Sequence, residues 1–421
     1  MSAPPAGTVR TRRTVRITIV LLFAAWLVDY ADRLVINLVL PSIGEEFDLS
    51  RGQQGLVVSA FFLSYALCQI PGGLLADRFG AQRVTCWALL SWSVFTALTG
   101  FAWSFAVLLV LRFAFGAAEG IFPPASMKVL VERTTPEERM GANGLIMSSN
   151  ALAAVLTPLV VAPLIAAFGW RSAFFSTAAL GVFVLVAVRM WLPAPHASGD
   201  PEAPAARGEL RLMLREGVLW RFALMLFGYC TIMWGLTTWI PSYLSDERGV
   251  PLASAGALVA IPALASAVAT VVGGRLVDRT GGHHRGIVVP AMAVAAIALP
   301  LMASSASLLG FVAFATVAAC AASLAYMPIF AVPLRGLDPR HVGVGSAVIV
   351  LGGQLAGMIA PPVMGVLADA FSFQVAFAFL VLGAVLVAVT SLVTPQDADS
   401  FRAALGAAHR PDPSSLTTEQ K

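Results

Sequence analysis

The chain has 421 residues, of which 58% are hydrophobic and only 12% are charged. A soluble protein usually carries about twice this share of charged residues, so the composition excludes an ordinary soluble globule and indicates a protein surrounded by hydrocarbon. The net charge of +4 arises from an uneven distribution of loop charges and does not indicate a protein that binds nucleic acid.

Apolar stretches long enough to cross a bilayer as helices, about 20 residues each, recur along the whole chain. The first stretch is predicted to be a spanning helix rather than a cleavable signal peptide, because it is too long and contains Asp29, Asp32 and Arg33. The fold class is therefore an all-α membrane protein with twelve transmembrane helices. The predicted spans are residues 15–40, 53–76, 84–103, 105–130, 141–167, 171–193, 218–244, 252–277, 286–305, 307–334, 342–368 and 372–394.

Basic residues are distributed unevenly between the predicted loops. Of all Lys and Arg residues, only Arg51, Arg171 and Arg248 fall in the odd-numbered loops, whereas most others lie near the termini and in the even-numbered loops. Cytoplasmic loops carry the excess of Lys and Arg, so both termini are expected to be cytoplasmic. The Ala-rich, Lys-poor composition is typical of a GC-rich bacterium, and the expected location is a bacterial cytoplasmic (inner) membrane.

Five segments are expected along the chain. Residues 1–14 form a cytoplasmic N-terminus, 15–193 and 218–394 form two six-helix bundles, 194–217 form a flexible cytoplasmic linker, and 395–421 form a cytoplasmic tail expected to be disordered. The two bundles share a repeat. GLLADRFG at residues 73–80 follows the second span, and GRLVDRTG follows the eighth span 201 residues later. Repeats of this kind are typical of transporters built from two related bundles.

Two six-span halves, each with G-x-x-x-D-R-x-G after its second span, resemble the major facilitator superfamily. The resemblance implies two pseudo-symmetric six-helix bundles and a latch that closes the cytoplasmic side in the outward-open state. The alternative is a tight turn with solvated charges. We expected Gly73 to allow close approach of two helices. The residues to which the resemblance assigns the latch are Gly73, Asp77, Arg78, Gly80, Arg83, Asp278 and Arg279.

Charged residues occur inside two of the predicted spans, where each costs roughly 2.5–3.5 kcal/mol on insertion scales. Asp29, Asp32 and Arg33 have the spacing i, i+3 and i+4 in span 1, which places them on one helical face. Arg112 and Glu119 in span 4 are seven residues apart and also share a face. Such charges persist where they face an interior cavity or one another. The pairs Asp32–Arg33 and Arg112–Glu119 could be structural ion pairs only, and Asp29 could be solvated at the cavity edge.

The charged segment of span 1, Asp-Tyr-Ala-Asp-Arg, is similar to the N-Y-x-D-R of the anion:cation symporter family, whose members carry sugar acids and other organic carboxylates. Three positions depart from that family. Asp29 stands where the family usually has Asn, Asn150 where it has Gln, and Gln354 where it has Asn. We therefore expect a substrate whose shape differs from that of the sugar acids. Further segments that resemble this family begin at Ser59, Arg112, Gly169, Trp239 and Gly353.

The residue types suggest how transport chemistry would be divided. An arginine pairs with a carboxylate through two hydrogen bonds without losing its proton, so Arg33 and, second, Arg112 are expected to bind an anion. The acids Asp32, Glu119 and Asp29 are the candidates for proton coupling. Neutral hydrogen bonds to the substrate are expected from Tyr30, Tyr65, Asn150 and Gln354; Tyr65, Asn150 and Gln354 could instead join helices. Trp234 and Trp239 would stack on a ring, pack in the core or, for Trp239, anchor at the membrane interface.

The function predicted from these features is proton-coupled uptake of a small organic anion by alternating access, in a protein expected to be monomeric. Its partners would be the anion, protons and the lipid bilayer, with no nucleic acid. The alternative is a proton-antiport exporter of a drug or metabolite on the same fold. A sensor without transport is disfavoured because the tail is too short for a signalling domain. An enzyme is not expected, since no phosphate loop, metal cluster or Ser/His arrangement occurs.

The cysteines give no indication of a metal site or a disulfide framework. The four cysteines each fall inside a predicted span and lack the paired spacing of disulfide or metal sites. We therefore expect no cofactor, no metal site and no disulfide framework.

Overall fold

The computed structural model describes residues 6–194, 212–338 and 341–407. Thirteen helices and one short π-helical segment, Tyr243–Glu247, lie in these ranges. The predicted linker lies largely outside the described residues. The helices are α1 (Ala6–Glu46), α2 (Arg51–Phe79), α3 (Ala81–Thr99), α4 (Phe105–Val131), α5 (Pro136–Phe168), α6 (Trp170–Trp191), α7 (Gly217–Ser242), α8 (Leu252–Arg279), α9 (Arg285–Ser304), α10 (Leu308–Gly336), α11 (Val342–Ala370), α12 (Phe373–Val393) and α13 (Ala398–Ala407).

Ten of these helices, α2 and α4–α12, are long and apolar enough to cross a membrane. The prediction of an all-α fold with many spans is confirmed. Helices α1 and α3 are not among the ten. Helix α1 carries three charges within residues 29–33, and α3 is diluted by Trp, Ser and Thr. Both nevertheless pack inside the bundle, α1 against α5 and α6, and α3 against α4 and α6. The count of twelve spans stays a prediction for these two helices.

Helix packing repeats with a period of six helices. In the first half, α1 packs against α5 and α6, α2 against α4, and α3 against α4 and α6. The same five pairings recur among α7–α12, each shifted by six helices. One hydrophobic core lies within residues 21–192 and a second within residues 213–401. Each half therefore buries its own apolar side chains, as the internal sequence repeat implies.

Glycines in the repeated motif serve two different purposes. Gly80 and Gly281 have φ values of +89° and +68°, which non-glycine residues rarely adopt, and each follows directly or closely after a helix. Gly72, rather than Gly73, permits close helix approach: a Cβ on Gly72 would lie 2.7 Å from the Cα of Ile121 in α4, whereas a Cβ on Gly73 would be 3.8 Å from the nearest atom. The expectation that Gly73 permits close helix approach is therefore wrong by one residue.

The two halves meet mainly through α2 with α11 and α5 with α8. We call the end of the bundle that carries the α1–α2, α5–α6, α7–α8 and α11–α12 connections the odd-loop end, and the opposite end the even-loop end. At the odd-loop end, the Asp369 carboxylate accepts hydrogen bonds from the backbone N–H groups of Arg51 (3.1 Å) and Gly52 (2.8 Å). The Arg51 side chain also pairs with Glu247 at 3.0 Å.

Further contacts between the halves lie at the same end. The Ser59 hydroxyl of α2 donates to the Met358 carbonyl of α11, and Gly256 of α8 lies against Pro158 of α5. All of these residues belong to the odd-loop segments of their helices. The halves are therefore joined at the odd-loop end in this conformation.

An ion pair within the first half also lies at the odd-loop end. The Arg171 guanidinium donates to both carboxylate oxygens of Glu46, at 2.8 and 2.6 Å, and the Trp170 indole N–H donates to the same carboxylate at 2.7 Å. The hydrogen bonds from Arg171 are the main reason that the pKa of Glu46 is held below its ordinary value of 4.5. This pair joins the end of α1 to the start of α6.

The segment after α12 is more ordered than we expected. Residues 398–407 form α13, and the Phe401 side chain is fully buried against Phe222 of α7, with ring centroids 5.7 Å apart. Arg402 donates to the carbonyl of Arg335 at the end of α10. The prediction that the tail is disordered is therefore wrong for these residues, because Phe401 is buried and Ala404 and Leu405 pack beside it against the second core.

Candidate anion and proton site

Five charged side chains are buried together inside the first half. Asp29, Asp32 and Arg33 extend from α1, and Arg112 and Glu119 extend from α4. All five side chains are at most 9% exposed. The i, i+3 and i+4 spacing places the α1 residues on one face, and the two-turn spacing does the same on α4. The predicted meeting of these two charged faces is what the structure shows.

Arg33 is held by one carboxylate from each helix. Its Nη2 atom lies 3.1 Å from Asp29 Oδ2 and 3.2 Å from Glu119 Oε2. Sequence reasoning considered the pairs Asp32–Arg33 and Arg112–Glu119, and neither is formed. For Asp32–Arg33 the reason is geometric. The i, i+4 spacing lets Asp29 reach the Arg33 guanidinium, whereas the side chains of adjacent residues on a helix diverge.

Aromatic rings surround the Arg33 guanidinium. Its central carbon lies 4.6 Å from the ring centroid of Tyr65, 5.1 Å from that of Phe61 and 5.6 Å from that of Tyr30. Cation–π contacts of this kind contribute roughly 0.5–2 kcal/mol each when desolvated. The rings and carboxylates together hold Arg33 in one place, and Tyr30 and Tyr65 lie beside the charged cluster.

Asp32 forms no ion pair with either arginine. Its Oδ2 accepts a hydrogen bond from the Thr96 hydroxyl of α3, while Oδ1 has no partner. Thr96 is buried and was missed by sequence reasoning, because a single hydroxyl in an apolar span usually bonds to its own helix. Because Thr96 lies in α3, which is not a neighbour of α1 along the chain, little in the sequence indicated that this hydroxyl would contact Asp32.

Arg112 is buried without a carboxylate partner. Its guanidinium is 1% exposed and lies 5.0 Å from the ring centroids of both Phe115 and Phe174. No ion pair or hydrogen bond formed by the described residues includes Arg112, and its Nε atom has no acceptor. Asp32 and Glu119 attract Arg112 through space, and the two ring faces offset part of the cost of its desolvation. Its guanidinium N–H groups are therefore not engaged by a carboxylate of the described residues.

A small cavity lies between the two arginines. Its volume of about 10 Å³ is enough for roughly one water molecule. Asn37 was not among the predicted site residues, yet it is 3% exposed and its amide oxygen has no partner. It lies four residues after Arg33, so the helical face defined by the charges could have revealed it. The lining residues are Arg33, Ile36, Asn37, Val57, Val58, Phe61, Phe62, Arg112 and Trp234.

Trp234 is the one residue of this lining that comes from the second half of the chain. It extends from α7, with ring centroids 4.8 Å from Phe62 and 6.4 Å from Tyr30. Trp239 differs: it is fully buried, and its indole N–H donates to the Pro361 carbonyl at 3.1 Å. Trp239 therefore packs in the second core, and the interpretation as an interface anchor is wrong for it.

Two predicted hydrogen-bonding residues lie outside the cavity lining. Asn150 of α5 and Gln354 of α11 are half-buried, and each has a buried amide oxygen without a partner. Neither is used to join helices through that oxygen. In this conformation the structure does not bring them to the arginines.

The predicted latch residues lie at the even-loop end. Asp77 pairs with Lys128 of α4 at 2.6 Å, and Asp278 pairs with Arg335 of α10 at 2.7 Å. The two pairs occupy equivalent places in the two halves, and both stay within their own half. The pairing of Lys128 with Asp77 was not predicted from the sequence. The remaining latch residues Arg78, Arg83 and Arg279 are exposed.

A family model described as Major Facilitator Superfamily matches residues 21–361 of the chain. The chain belongs to the major facilitator superfamily. It is thus a multi-pass membrane transporter, and the fold inferred from the repeated motif and the paired six-helix halves is confirmed.

Curated relatives cover most of this major facilitator chain. A probable sulfoacetate transporter of Cupriavidus necator is 31% identical over 369 residues, which is 82% of this chain and 85% of that protein. A hexuronate transporter of Bacillus subtilis is 28% identical over 83% of this chain and 87% of its own length. A probable galactarate/D-glucarate transporter of Escherichia coli is 27% identical over 90% and 94%. These names agree with the resemblance to the anion:cation symporters.

Among solved structures, a bacterial homologue of the human lysosomal transporter Spinster, crystallised in an inward-facing and unoccupied conformation, has the same fold. The TM-score is 0.77 with 20% sequence identity, and the match covers 98% of this chain and 100% of that one.

Proposed function

We propose that this chain is a secondary active transporter that couples proton movement to the uptake of a small organic anion. The observation that carries the proposal is Arg112, a buried guanidinium beside a cavity with no carboxylate paired to it. An organic carboxylate would accept two hydrogen bonds from the unengaged N–H groups of this guanidinium. The relatives, whose names include sulfoacetate, hexuronate and galactarate, support a substrate of this class.

Proton coupling follows from the way in which Arg33 is held. Glu119 Oε2 and Asp29 Oδ2 both lie within 3.2 Å of the same guanidinium nitrogen. A proton on Glu119 neutralises one of these anions, so that Arg33 is released to donate hydrogen bonds to the substrate. Departure of the substrate returns Arg33 to an ionised Glu119. Proton and anion therefore favour each other's binding, which is the requirement for symport. Asp32, which is buried and directly precedes Arg33 in α1, is a second proton site.

Alternating access would use the contacts at the two ends of the bundle. The excess of basic residues supports a cytoplasmic location for the even-loop end and both termini, in a bacterial inner membrane. The contacts of Asp369 and Arg51 then close the extracellular side in this conformation. In the opposite state, the even-loop end would close through the latch. The residues proposed for it are Gly73, Asp77, Arg78, Gly80, Arg83, Asp278 and Arg279.

The neutral polar residues would act at different stages. Tyr30 and Tyr65 flank Arg33 and would orient its guanidinium toward the substrate. Asn150 and Gln354 have unpartnered amide oxygens outside the cavity, so they would reach a substrate only when the halves move. The cavity itself holds about one water molecule, and an organic anion enters as the halves rearrange. We propose that one chain is sufficient for transport.

Uptake by purified protein in proteoliposomes tests the proposal. We expect a panel of labelled carboxylates, including hydroxylated and aromatic acids, to yield at least one substrate that accumulates when an inward proton gradient is imposed. Arg112→Ala should abolish this uptake. Glu119→Gln should keep exchange of labelled for unlabelled substrate but lose accumulation against a gradient, because the side chain can no longer exchange a proton.

Arg189→Ala serves as the matched control, since Arg189 is an exposed arginine at the end of α6. Accumulation that ignores the proton gradient would contradict the coupling. Intact uptake by Arg112→Ala would contradict its role as the anion site. Accumulation driven by a proton gradient of opposite direction would instead identify an antiporter.

A further inference from the structure

The charges and the lining of the cavity also limit which anion fits. We propose that the site is built for a carboxylate with a single negative charge and a flat apolar body, rather than for a polyhydroxylated sugar acid. This inference rests on the proposed function and names the substrate class of the same site.

The hydrogen-bonding capacity of the two arginines limits the charge of the substrate. Arg33 is ion-paired with Asp29 and Glu119, whereas Arg112 forms no ion pair with the described residues. The titratable groups that face Arg33 are Asp29 and Tyr30 from α1, Tyr65 from α2 and Glu119 from α4; those that face Arg112 are Asp32 and Glu119. When a proton on Glu119 releases one hydrogen bond of Arg33, Asp29 still neutralises that arginine, so Arg112 is the guanidinium that can bind one carboxylate.

Asp29 keeps Arg33 paired. It lies on the same helix as Arg33 at the i, i+4 position and is fully buried, so it stays beside the guanidinium whether or not substrate is present. A substrate with two negative charges would place its second charge in a cluster that already has three carboxylates and two arginines. That charge would either displace Asp29 from Arg33 or stay without a cation, and each costs free energy in a desolvated site.

The remaining lining limits the body of the substrate. Besides the two arginines, Asn37 is the one polar residue that lines the cavity among the described residues. The other six side chains are aliphatic or aromatic. A sugar acid would bring several hydroxyl groups, and each one buried without a partner is costly. Asn37 can satisfy one or two of them, and Asn150 and Gln354 lie outside the lining.

Two aromatic side chains provide a place for a flat ring. Trp234 and Phe62 approach each other from opposite halves at 4.8 Å with an angle of 62° between their planes. Phe61 stands next to Phe62, with their centroids 5.1 Å apart. A planar apolar group held by its carboxylate at Arg112 can pack against these rings with the offset or edge-to-face geometry that aromatic groups prefer.

Calorimetric titration of the purified full-length protein tests the inference with three probes. Benzoate has one charge and a flat apolar body, gluconate has one charge and a hydroxylated body, and phthalate has two charges and a flat body. We expect benzoate to bind most tightly. Gluconate should bind about 100-fold more weakly, the discrimination that a hydrophobic pocket reaches against added hydroxyl groups. Phthalate should also bind more weakly than benzoate.

Two variants separate the charge from the body. Asp29→Asn should raise the affinity for phthalate relative to benzoate by about tenfold, because it frees Arg33 for the second carboxylate. Trp234→Ala should weaken benzoate binding about tenfold or more and leave gluconate binding unchanged. The matched controls are Asp48→Asn and Trp103→Ala, whose side chains are exposed outside the site; both should keep the wild-type order of probes.

The inference is overturned if gluconate binds wild-type protein as tightly as benzoate, if benzoate does not bind, or if Asp29→Asn leaves the phthalate-to-benzoate ratio unchanged. The wild-type comparison decides even if a variant fails to fold. Proton-driven uptake of a hydroxylated acid, combined with weak benzoate binding, would keep the proposed function and refute only this inference. Lack of gradient-driven uptake of every anion would instead refute the proposed function.

Discussion

Asp369 offers a direct test of whether the odd-loop contacts close one side of the transporter. Its carboxylate comes from α11 in the second half and accepts two backbone N–H groups at the start of α2 in the first half. Replacement by Ala removes both hydrogen bonds and leaves the Arg51–Glu247 pair in place. We expect Asp369→Ala to shift the population toward the state that is open at the odd-loop end.

The size of the shift can be estimated from the contacts. Each hydrogen bond contributes roughly 0.5–1.5 kcal/mol net. The carboxylate also faces the positive end of the α2 dipole, which adds a few tenths of a kcal/mol where the charge is exposed. Because Asp369 is exposed, solvent screening favours the lower part of these ranges. A total of about 1–2 kcal/mol corresponds to a change of roughly 5- to 30-fold in the ratio of the two states.

Labelling of an engineered cysteine measures this ratio. Thr157 of α5 is 3% exposed and its hydroxyl has no partner, and it precedes Pro158, which lies against α8 at the odd-loop end. In a chain whose native cysteines are replaced by Ala, Thr157→Cys should react slowly with a membrane-impermeant maleimide. Adding Asp369→Ala should accelerate the reaction by about the same 5- to 30-fold.

Glu45→Ala provides the control, because it removes an exposed carboxylate at the same end of the bundle. It should leave the labelling rate unchanged. The explanation fails if Asp369→Ala changes the rate by less than twofold. It also fails if Glu45→Ala has an equal effect, since that would indicate general loosening or a change of surface potential rather than release of a specific contact.

Three further predictions concern stability, measured as the thermal unfolding midpoint of purified protein. The pKa of Glu46 lies below its ordinary 4.5, so its pairing with Arg171 stabilises the fold above that pH, and this stabilisation is lost as the pH falls. Glu46→Gln should cost only about 0–1 kcal/mol at neutral pH, since both groups are exposed. In acid, where Glu46 is protonated, the substitution should have no effect. Gly72→Ala should destabilise by about 1–3 kcal/mol, because its Cβ would meet the α4 backbone, whereas Gly73→Ala should be tolerated; equal effects would contradict the assignment. Phe401→Ala should cost about 3–5 kcal/mol, and an unchanged midpoint would show that α13 is not anchored.

The sequence was sufficient for the general arrangement of the helices. A repeat with a 201-residue offset and long apolar segments predicted the two related halves, because both patterns are visible in the sequence without knowledge of any contact. The buried charges could also be placed on two helical faces, since helical periodicity fixes which residues share a face. The meeting of Arg33 with Glu119 required only the further assumption that spans 1 and 4 adjoin one cavity.

Other features could not be read from the chain. Which carboxylate holds Arg33 depends on side-chain reach across helices, and the hydroxyl that binds Asp32 comes from α3, far along the sequence. Asn37 was within reach of the helical-face argument, but a single amide in an apolar run gives a weak signal. The order of α13 depends on Phe401, which packs against α7 and α10, with Ala404 and Leu405 beside it, and composition alone suggested disorder.

The division of the cavity between the halves has a consequence for hybrid proteins. All of the charged groups around Arg33 and Arg112 come from residues 29–119, whereas the ring of Trp234 comes from the second half. Each half has its own hydrophobic core, so each can be exchanged as a unit. A chimera that joins the first half of this chain to the second half of a hexuronate-transporting relative should keep the preference for one negative charge and lose only the packing that Trp234 offers to a flat substrate.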